Sequence, residues 1–307
     1  MSVFRQLRGA IIRGLPEPVS RSLRDVRKRF RREAWKKRVR ENPDAVFGQS
    51  DVVEALRSLG VEEGRDLIVH SAMSKIGMLE SGADTVIDGL IEVIGPKATL
   101  VMPAYPMRAS MLETMRDPTP FRVGKDRSYM GKLTEVFRQR QGTLRSAHPT
   151  HSVAALGPSA EFYVGDHHRS GSPCGSGSPF MRLWENDGQI LCIGTGVGKV
   201  TSHHVIEDRL ESFPMEVYMD EILSKDVEFS DGRIEKVEVR VHRPELSRVR
   251  VDNDASVEAE ILACMRTRQI VREGPLGLAR THLFGARDLD AMLEQRLQDE
   301  GTTIYRL

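Results

Sequence analysis

The sequence predicts an α/β fold in which a largely parallel sheet is covered by helices, and three observations predict it. A strand, a helix and a second strand follow one another between Asp66 and Pro103, which is the pattern of a right-handed crossover unit. A short apolar run at 189–193 is typical of another buried strand. Finally, 29% of the residues are charged, and no apolar run approaches the roughly 18 residues that a membrane-spanning helix needs.

Residues 1–48 are predicted to form a basic helical arm. Residues 1–44 contain 14 Lys/Arg and 5 Asp/Glu, a net charge of +9, whereas the whole chain has a net charge of +1. Two amphipathic helices are predicted, with apolar stripes at Phe4, Leu7, Ile11 and Leu15 and at Leu23, Val26 and Phe30. Adsorption to an anionic membrane surface and packing on the main domain or a partner subunit both remain open, and no nucleic-acid module accompanies the charge.

The main domain is expected over residues 49–307, and its first half alternates helices with buried strands. A helix begins at Ser50-Asp51, which supply cap residues, and ends at Leu59-Gly60. The next predicted elements are a strand over 66–70, a helix over about 82–94 and a strand over 98–103.

The second half continues with a helix over 132–138, the strand over 189–193 and a helix over 201–210. Alternating apolar residues between Val217 and Val241 then predict a smaller antiparallel hairpin, with its turn at Asp231-Gly232. Further helices are predicted over 257–266 and 286–296.

The glycine-rich turn at 194–199 is not a Walker loop, because that pattern requires glycine at Ile193 and Ser or Thr at Val200. Its glycines permit a tight turn from strand to helix. We expect the turn to leave helix N–H groups free to hold an anion or a polar substrate group.

Six of the nine histidines cluster in the middle of the chain: His148, His151, His167, His168, His203 and His204. One interpretation is a metal site, since neutral imidazole is the commonest zinc ligand. Another is general-base catalysis, because His204 and Glu207 are three residues apart on a predicted helix and share a face. Solvated side chains are the third interpretation, and the residues alone do not decide among the three.

The three cysteines form no CxxC pair, and a reducing cytoplasm therefore fits the chain best. Cys174, between Pro173 and Gly175, is either a nucleophile paired with a histidine or a passive small residue in a loop. The second interpretation is favoured.

Five blocks of residues occur in a fixed order with characteristic spacing: Leu67-Ile68-Val69-His70-Ser71-x-x-Ser74-x-x-Gly77, Gly95-Pro96-x-x-Thr99-Leu100-Val101-Met102-Pro103, Arg145-Ser146-x-His148-Pro149-x-x-Ser152, Gly175-x-x-Ser178-Pro179 and Thr201-Ser202-x-His204-x-x-Glu207. Together they resemble the aminoglycoside 3-N-acetyltransferase family over roughly residues 50–300. The resemblance implies a three-layer α/β/α core, an N-acetyltransferase activity that depends on acetyl-coenzyme A, and no metal.

The resemblance also implies site residues. Those that would surround coenzyme A are His70, Ser71, Ser74, Arg145, Ser146, His148 and Ser152. The base would be His168, which precedes the proline of Gly-x-x-Ser-Pro by eleven residues, with Glu207 as its partner. His204 lies in the same motif, and Thr201 or loop N–H groups would stabilise the oxyanion.

The acceptor is expected to be anionic, because basic residues stand where antibiotic-modifying members resemble one another in an acidic loop. These residues are Arg108, Arg116, Arg122, Lys125 and Arg127. We therefore expect an amine such as a nucleotide-linked amino sugar, contacted by Tyr105, Arg108, Arg122 and Thr201, and a biosynthetic role. Aminoglycoside resistance is the alternative, followed by a metal hydrolase or a non-catalytic scaffold. A cytoplasmic enzyme, peripheral at the inner membrane face and able to form homo-oligomers, is consistent with this expectation.

Overall fold

The computed structural model describes residues 46–306. The predicted basic arm lies outside the described residues, apart from its last positions, and its membrane or partner role stays a prediction. The strands are β1 (Val46–Phe47), β2 (Leu67–Ser71), β3 (Met78–Leu79), β4 (Leu100–Pro103), β5 (Phe121–Arg122), β6 (Leu144–Arg145), β7 (Val153–Leu156), β8 (Gln189–Ile193), β9 (Tyr218–Glu228), β10 (Ile234–His242), β11 (Arg272–Leu276) and β12 (Ala279–Gly285).

Helices connect these strands, and none within residues 46–306 is long and apolar enough to cross a membrane. The α-helices are α1 (Gln49–Leu59), α2 (Ala83–Ile94), α3 (Met111–Arg116), α4 (Lys132–Phe137), α5 (Ala160–Val164), α6 (Pro179–Glu185), α7 (Val205–Arg209), α8 (Ala255–Thr267) and α9 (Ala286–Glu300).

A seven-stranded sheet forms the centre, in the order β11-β12-β8-β2-β4-β7-β6. The three middle strands β8, β2 and β4 are parallel, as the crossover pattern predicts. Each flank adds two antiparallel strands, so five of the seven strands run in one direction. The predicted α/β fold with a mostly parallel sheet is confirmed, with the parallel pairings confined to the middle.

Helices cover both faces of this sheet. Successive residues of the central strands point to opposite sides and therefore enter two different cores. Ile68 and Ile190 belong to the core on one side, together with residues of α5–α9. Leu67 and Leu191 belong to the core on the other side, together with residues of α1, α2 and α4. This arrangement is the three-layer α/β/α core that the resemblance implies.

The predicted hairpin is present as β9 and β10, which form a second sheet with β5 in the order β10-β9-β5. Its turn includes Gly232, whose φ of +87° favours glycine. The register shifts between Arg240 and His242, which is a bulge near the end of β10. Val241 and His242 are both buried there, although strict alternation would place only one of them inside.

The region after β8 differs from the prediction in two ways. The helix expected over 201–210 consists of a 3₁₀ turn at Thr201–His204 followed by the single short helix α7. The expectation that the glycine turn keeps its N–H groups free is wrong at Gly198, whose N–H donates to Glu258 Oε1 at 3.2 Å. A carboxylate of the chain itself therefore occupies the position expected for a bound anion.

Candidate active site

Glu207 is the centre of a buried polar cluster at the start of α7, and its side chain has no exposed surface. Its Oε1 accepts hydrogen bonds from His204 Nδ1 at 2.8 Å and from the Tyr305 hydroxyl at 2.7 Å. Its Oε2 accepts one from His242 Nε2 at 2.9 Å. Both carboxylate oxygens are thus satisfied by side chains from three separate parts of the chain.

The electrostatics of this cluster favour an ionised Glu207 beside a neutral His204. Burial alone raises the pKa of Glu207, but the attraction and hydrogen bonds of His204 and His242 outweigh it and hold that pKa well below its ordinary value. Burial lowers the pKa of His204, and Glu207 only partly opposes this effect. Near neutral pH, His204 is therefore an uncharged imidazole that donates from Nδ1 and keeps a lone pair on Nε2.

His204 and His242 line a cavity of about 400 Å³. No hydrogen bond within residues 46–306 uses Nε2 of His204, so this atom is available to a molecule in the cavity. The Tyr105 hydroxyl and Thr201 Oγ1, which also line it, are hydrogen-bonded to each other. Burial raises the pKa of Tyr105, so this residue is a neutral phenol. The cavity thus combines a neutral base with a pair of hydroxyl groups.

His242 and Tyr305 are not among the site residues that the sequence predicts. His242 lies 35 residues after Glu207 on β10, and the bulge in that strand turns it inward beside Val241. Its ring stacks on Tyr218, with ring centroids 4.7 Å apart. Tyr305 lies 98 residues after Glu207, near the C-terminus. No local spacing could indicate either residue, because the tertiary fold alone brings them to Glu207.

The predicted pairing of His168 with Glu207 is wrong, since all hydrogen-bond partners of Glu207 in the described chain are accounted for by His204, His242 and Tyr305. His168 lies in the 3₁₀ turn His167–Arg169, and its ring meets Phe229 edge to face, with centroids 5.2 Å apart. The turn buries the neighbouring His167 instead, which directs His168 toward the hairpin. The structure brings His204, not His168, to the carboxylate.

Four of the residues predicted to surround coenzyme A instead support the fold. The Arg145 guanidinium donates to the carbonyls of Ala104, Val123 and Asp126 and to Ser152 Oγ. Burial lowers the pKa of Arg145 to about 9, with the Arg138 charge as the next cause. The Arg145 guanidinium is thus engaged by three backbone carbonyls and one hydroxyl of the protein.

Ser146, His148 and Ser152 are buried beside it. Ser146 Oγ is hydrogen-bonded to His167 Nδ1 at 2.9 Å, and Ser152 Oγ donates to the Ala104 carbonyl at 2.8 Å. His148 stacks on His167, with centroids 4.4 Å apart. The prediction that these side chains line a ligand site is therefore corrected.

Three of the predicted coenzyme A residues lie at or just after the carboxyl end of the central strand β2. His70 is buried, and burial, with a smaller effect of His203, lowers its pKa to about 3. Ser71 is partly exposed and Ser74 is exposed. Ligands of open α/β sheets commonly bind beyond the carboxyl ends of the parallel strands, so both serines remain candidates.

The predicted acceptor residues divide between two places. Tyr105 and Thr201 line the cavity at His204. Arg108 and Arg122 line a separate cleft, in which Arg122 forms an ion pair with Asp126 at 2.8 Å.

The histidine metal site, which is one of the three interpretations of the histidine cluster, does not form. His148 Nδ1 accepts from the N–H of His151 at 3.1 Å, and His203 Nε2 donates to the Val197 carbonyl at 2.8 Å. Within residues 46–306, the one group of His, Cys, Asp or Glu side chains close enough to share a metal ion is His204, Glu207 and His242, whose ligand atoms lie within 4.8 Å of one another. Their facing atoms already form hydrogen bonds, which a metal ion would have to break.

Cys174 does not have the properties of a nucleophile. Burial raises the pKa of its thiol well above the ordinary value, and the charges of Asp208 and Glu207 add to this effect. Its Sγ lies 3.6 Å from the Thr201 carbonyl, to which the thiol donates. The interpretation of Cys174 as a passive buried residue is therefore favoured.

The fold and this cluster define an α/β protein with a buried histidine–carboxylate base beside a ligand-sized cavity. A family model described as aminoglycoside 3-N-acetyltransferase matches residues 68–298. The chain belongs to this family.

Individual relatives agree with this assignment. Aminoglycoside N(3)-acetyltransferase VII of Streptomyces paromomycinus is 32% identical over 280 residues, covering 84% of this chain and 95% of that enzyme. Aminoglycoside N(3)-acetyltransferase III of Salmonella sp is 34% identical over 171 residues, but the match spans only 59% of that enzyme and 52% of this chain.

Two solved structures are similar throughout most of their length. Aminoglycoside acetyltransferase AAC(3)-Xa superposes with a TM-score of 0.73 at 26% identity, over 87% of this chain and 98% of that chain. AAC-IIIb in a binary complex with CoASH gives a TM-score of 0.68 at 25% identity, over 82% and 97% of the respective chains.

Proposed function

We propose that this chain transfers the acetyl group of acetyl-coenzyme A to an amino group of an aminoglycoside or a related amino sugar. The observation that carries the proposal is the hydrogen bond of 2.8 Å between His204 and Glu207 at the wall of the cavity. Family membership, the names of the relatives and the CoASH complex of AAC-IIIb support the reaction class and the acyl donor. The same names favour an aminoglycoside as the acceptor.

His204 acts as the base in this proposal. An alkylammonium group must lose a proton before its nitrogen can attack a thioester, and His204 Nε2 accepts that proton. Glu207, held ionised, stabilises the imidazolium that results. The amine nitrogen then bonds to the acetyl carbon and loses its second proton to water as the carbon–sulfur bond breaks. The departing thiolate takes the first proton back from His204, so that the products are a neutral amide, the free thiol and one released proton. The base returns to its neutral form, and the enzyme forms no covalent intermediate.

The Tyr105–Thr201 pair provides a donor for the thioester oxygen. Each hydroxyl has one proton, and the bond between the two residues uses only one of them. The remaining O–H points elsewhere and can donate to the oxygen that becomes negatively charged when the amine attacks. Because burial keeps Tyr105 neutral, the pair retains this proton across the working pH range.

A second candidate acceptor is an anionic amine such as a nucleotide-linked amino sugar, because the cavity wall has more cationic than anionic side chains. Lys199, Arg243 and Arg250 line it, against the single carboxylate of Asp252. Arg250 forms a close ion pair with Asp252 at 2.6 Å. Arg243 pairs with Glu216 at 2.9 Å and with Asp220 at 3.0 Å, so of the three cations only Lys199 has no ion pair within residues 46–306. A polycation would meet the remaining positive charge, whereas an anion would be attracted.

Mass spectrometry of products tests the proposal and separates the two acceptors. The purified full chain is incubated with acetyl-coenzyme A and, in separate reactions, with gentamicin-like aminoglycosides and nucleotide-linked amino sugars. We expect an N-acetylated product with the first group. A product with the second group alone would assign the anionic acceptor. No acetyl transfer to either group would contradict an acetyltransferase of this kind.

The pH dependence of turnover is expected to follow the protonation of His204. The base must be neutral, and because its pKa is lowered from 6.5, kcat should stay constant down to below that pH and fall only on further acidification. Glu207 raises the pKa of His204, so Glu207→Gln should move the acidic limb to still lower pH. Stopped-assay kcat values at saturating acceptor provide the measurement. An acidic limb centred above about pH 7 would contradict the assignment.

A further inference from the structure

A second cleft, of about 680 Å³, lies beside the small sheet formed by β5, β9 and β10. We call it the arginine cleft after its basic lining residues: Arg108, Arg122, Lys125, Arg127 and Lys225. It borders the cavity at His204, because Ala109 lines both. Neither the base nor the hydroxyl pair described above belongs to it.

Partners within the protein already engage three of these basic side chains. Arg122 forms its ion pair with Asp126, and Lys125 contacts Glu228 at 2.7 Å. The Lys225 ammonium donates to the carbonyl of Asp117. Arg122 and Lys125 therefore contribute little uncompensated charge, and the Lys225 ammonium is held by a backbone oxygen.

The carboxylates that line the cleft are occupied as well. Glu113 Oε2 accepts from the N–H of Ser110 at 3.0 Å and from its hydroxyl at 2.7 Å, which closes the capping box of α3. Asp117 Oδ1 accepts from the N–H of Thr119 at 2.7 Å. No acidic group of the described cleft is thus directed at the two remaining arginines.

The two remaining arginines of the cleft are Arg108 and Arg127, and both lie against the ring of Tyr129. Their guanidinium carbons are 4.8 and 5.1 Å from the ring centroid, and the Arg108 side chain also donates to the Tyr129 hydroxyl. Neither arginine forms an ion pair within residues 46–306. One aromatic ring therefore contacts two guanidinium groups of like charge, and an anion that reaches both would offset that charge.

Tyr129 is fixed relative to the candidate active site. Its N–H donates to the carbonyl of Tyr105 at 2.9 Å, and the Tyr105 side chain belongs to the hydroxyl pair of the cavity. A group bound by the two arginines would consequently have a defined position with respect to His204.

We propose that Arg108, Arg127 and Tyr129 form a binding site for a phosphate or pyrophosphate group. Guanidinium groups are planar forks that match phosphate oxygens, and two unpaired forks suit the two phosphoryl groups of a pyrophosphate. The phosphates belong either to coenzyme A or to a phosphorylated acceptor, and this choice of source rests on the proposed function. The binding itself does not depend on turnover.

Titration calorimetry with inorganic pyrophosphate tests the site without any acetyl transfer. Arg108→Gln and Arg127→Gln should each weaken binding by about tenfold, and raising the salt concentration should weaken binding to the unmodified chain. Arg116→Gln is the matched control, because Arg116 is outside the cleft lining and pairs with Glu221 at 3.2 Å. Equal affinities in all variants, or an equal loss in Arg116→Gln, would overturn the proposal.

Two further ligands identify the source of the phosphate. If the site serves coenzyme A, the affinity for coenzyme A should fall in Arg108→Gln and Arg127→Gln, while that for uridine diphosphate stays unchanged. If it serves the acceptor, the affinity for uridine diphosphate should fall in these variants, while that for coenzyme A stays unchanged. Unchanged affinities for both ligands would overturn the proposal. Because these are binding measurements, an inactive chain that binds pyrophosphate through these arginines would refute the proposed function and leave the site standing.

Discussion

Replacing His204 by alanine is expected to reduce kcat by about 10³-fold, which lies within the range typical for loss of a positioned general base. His204 combines access to the cavity, a neutral imidazole and a hydrogen bond to a buried carboxylate. The variant leaves the acceptor ammonium without a proton acceptor at the wall of the cavity. Steady-state kinetics with saturating acetyl-coenzyme A and acceptor provide the measurement, and circular dichroism verifies that the variant is folded.

His168→Ala is the matched control, because it removes a histidine that the resemblance places in the catalytic role and the structure places against Phe229. We expect kcat to change less than about threefold, since His168 has no hydrogen bond to the Glu207 cluster. A large loss in His168→Ala together with a small loss in His204→Ala would contradict the assignment of the base.

Glu207→Gln is expected to lower kcat by about 10²-fold, because it changes the tautomer of His204. The amide of glutamine has one oxygen, whereas the carboxylate accepts from two imidazoles and a phenol. If the amide nitrogen faces His204, the imidazole protonates Nε2 instead of Nδ1 and cannot accept a proton from the substrate. The double variant with His204→Ala should be little slower than His204→Ala alone, because coupled groups do not give additive losses.

The sequence indicates His204 and Glu207, two of the four residues of the Glu207 cluster, and physical reasons explain why it does not indicate the other two. His204 and Glu207 are one turn apart, so a local periodicity relates them, and their contact follows from the turn and helix that contain them. His242 enters through a bulge that breaks the period of two in β10. Tyr305 enters from the C-terminal residues. Both contacts depend on how distant elements pack, which a pattern within one segment cannot specify.

In the fold, too, some strands are predictable from their local sequence and others depend on distant partners. The middle strands are continuous apolar runs because they are buried on both faces, and such runs are recognisable in the sequence. The two-residue strands β5 and β6 are too short to show a period, and they exist only because longer strands pair with them. The flanking hairpin of β11 and β12 contains Gly274 and Pro275, which are disfavoured in strands, so no local preference predicts it.

Arg145 shows that residue type alone does not determine a role. An arginine near a family motif suggests a phosphate contact, since a planar fork suits phosphate oxygens. The same fork also suits several backbone carbonyls, and here it connects the end of β4 with the loop after β5. The two roles make different predictions, because a phosphate-binding arginine affects ligand affinity and a carbonyl-binding arginine affects the stability of the fold.

Arg145→Ala is therefore expected to lower the free energy of unfolding by about 2–4 kcal/mol, measured from urea unfolding of the full chain. The substitution leaves the carbonyls of Ala104, Val123 and Asp126 without their shared donor, and it removes a guanidinium that lies 4.9 Å from the Phe121 ring centroid. Arg116→Ala is the control, since its ion pair is more than half exposed on both sides and should contribute less than about 1 kcal/mol. Unchanged stability of Arg145→Ala, with weakened coenzyme A binding in calorimetry, would instead support a phosphate contact.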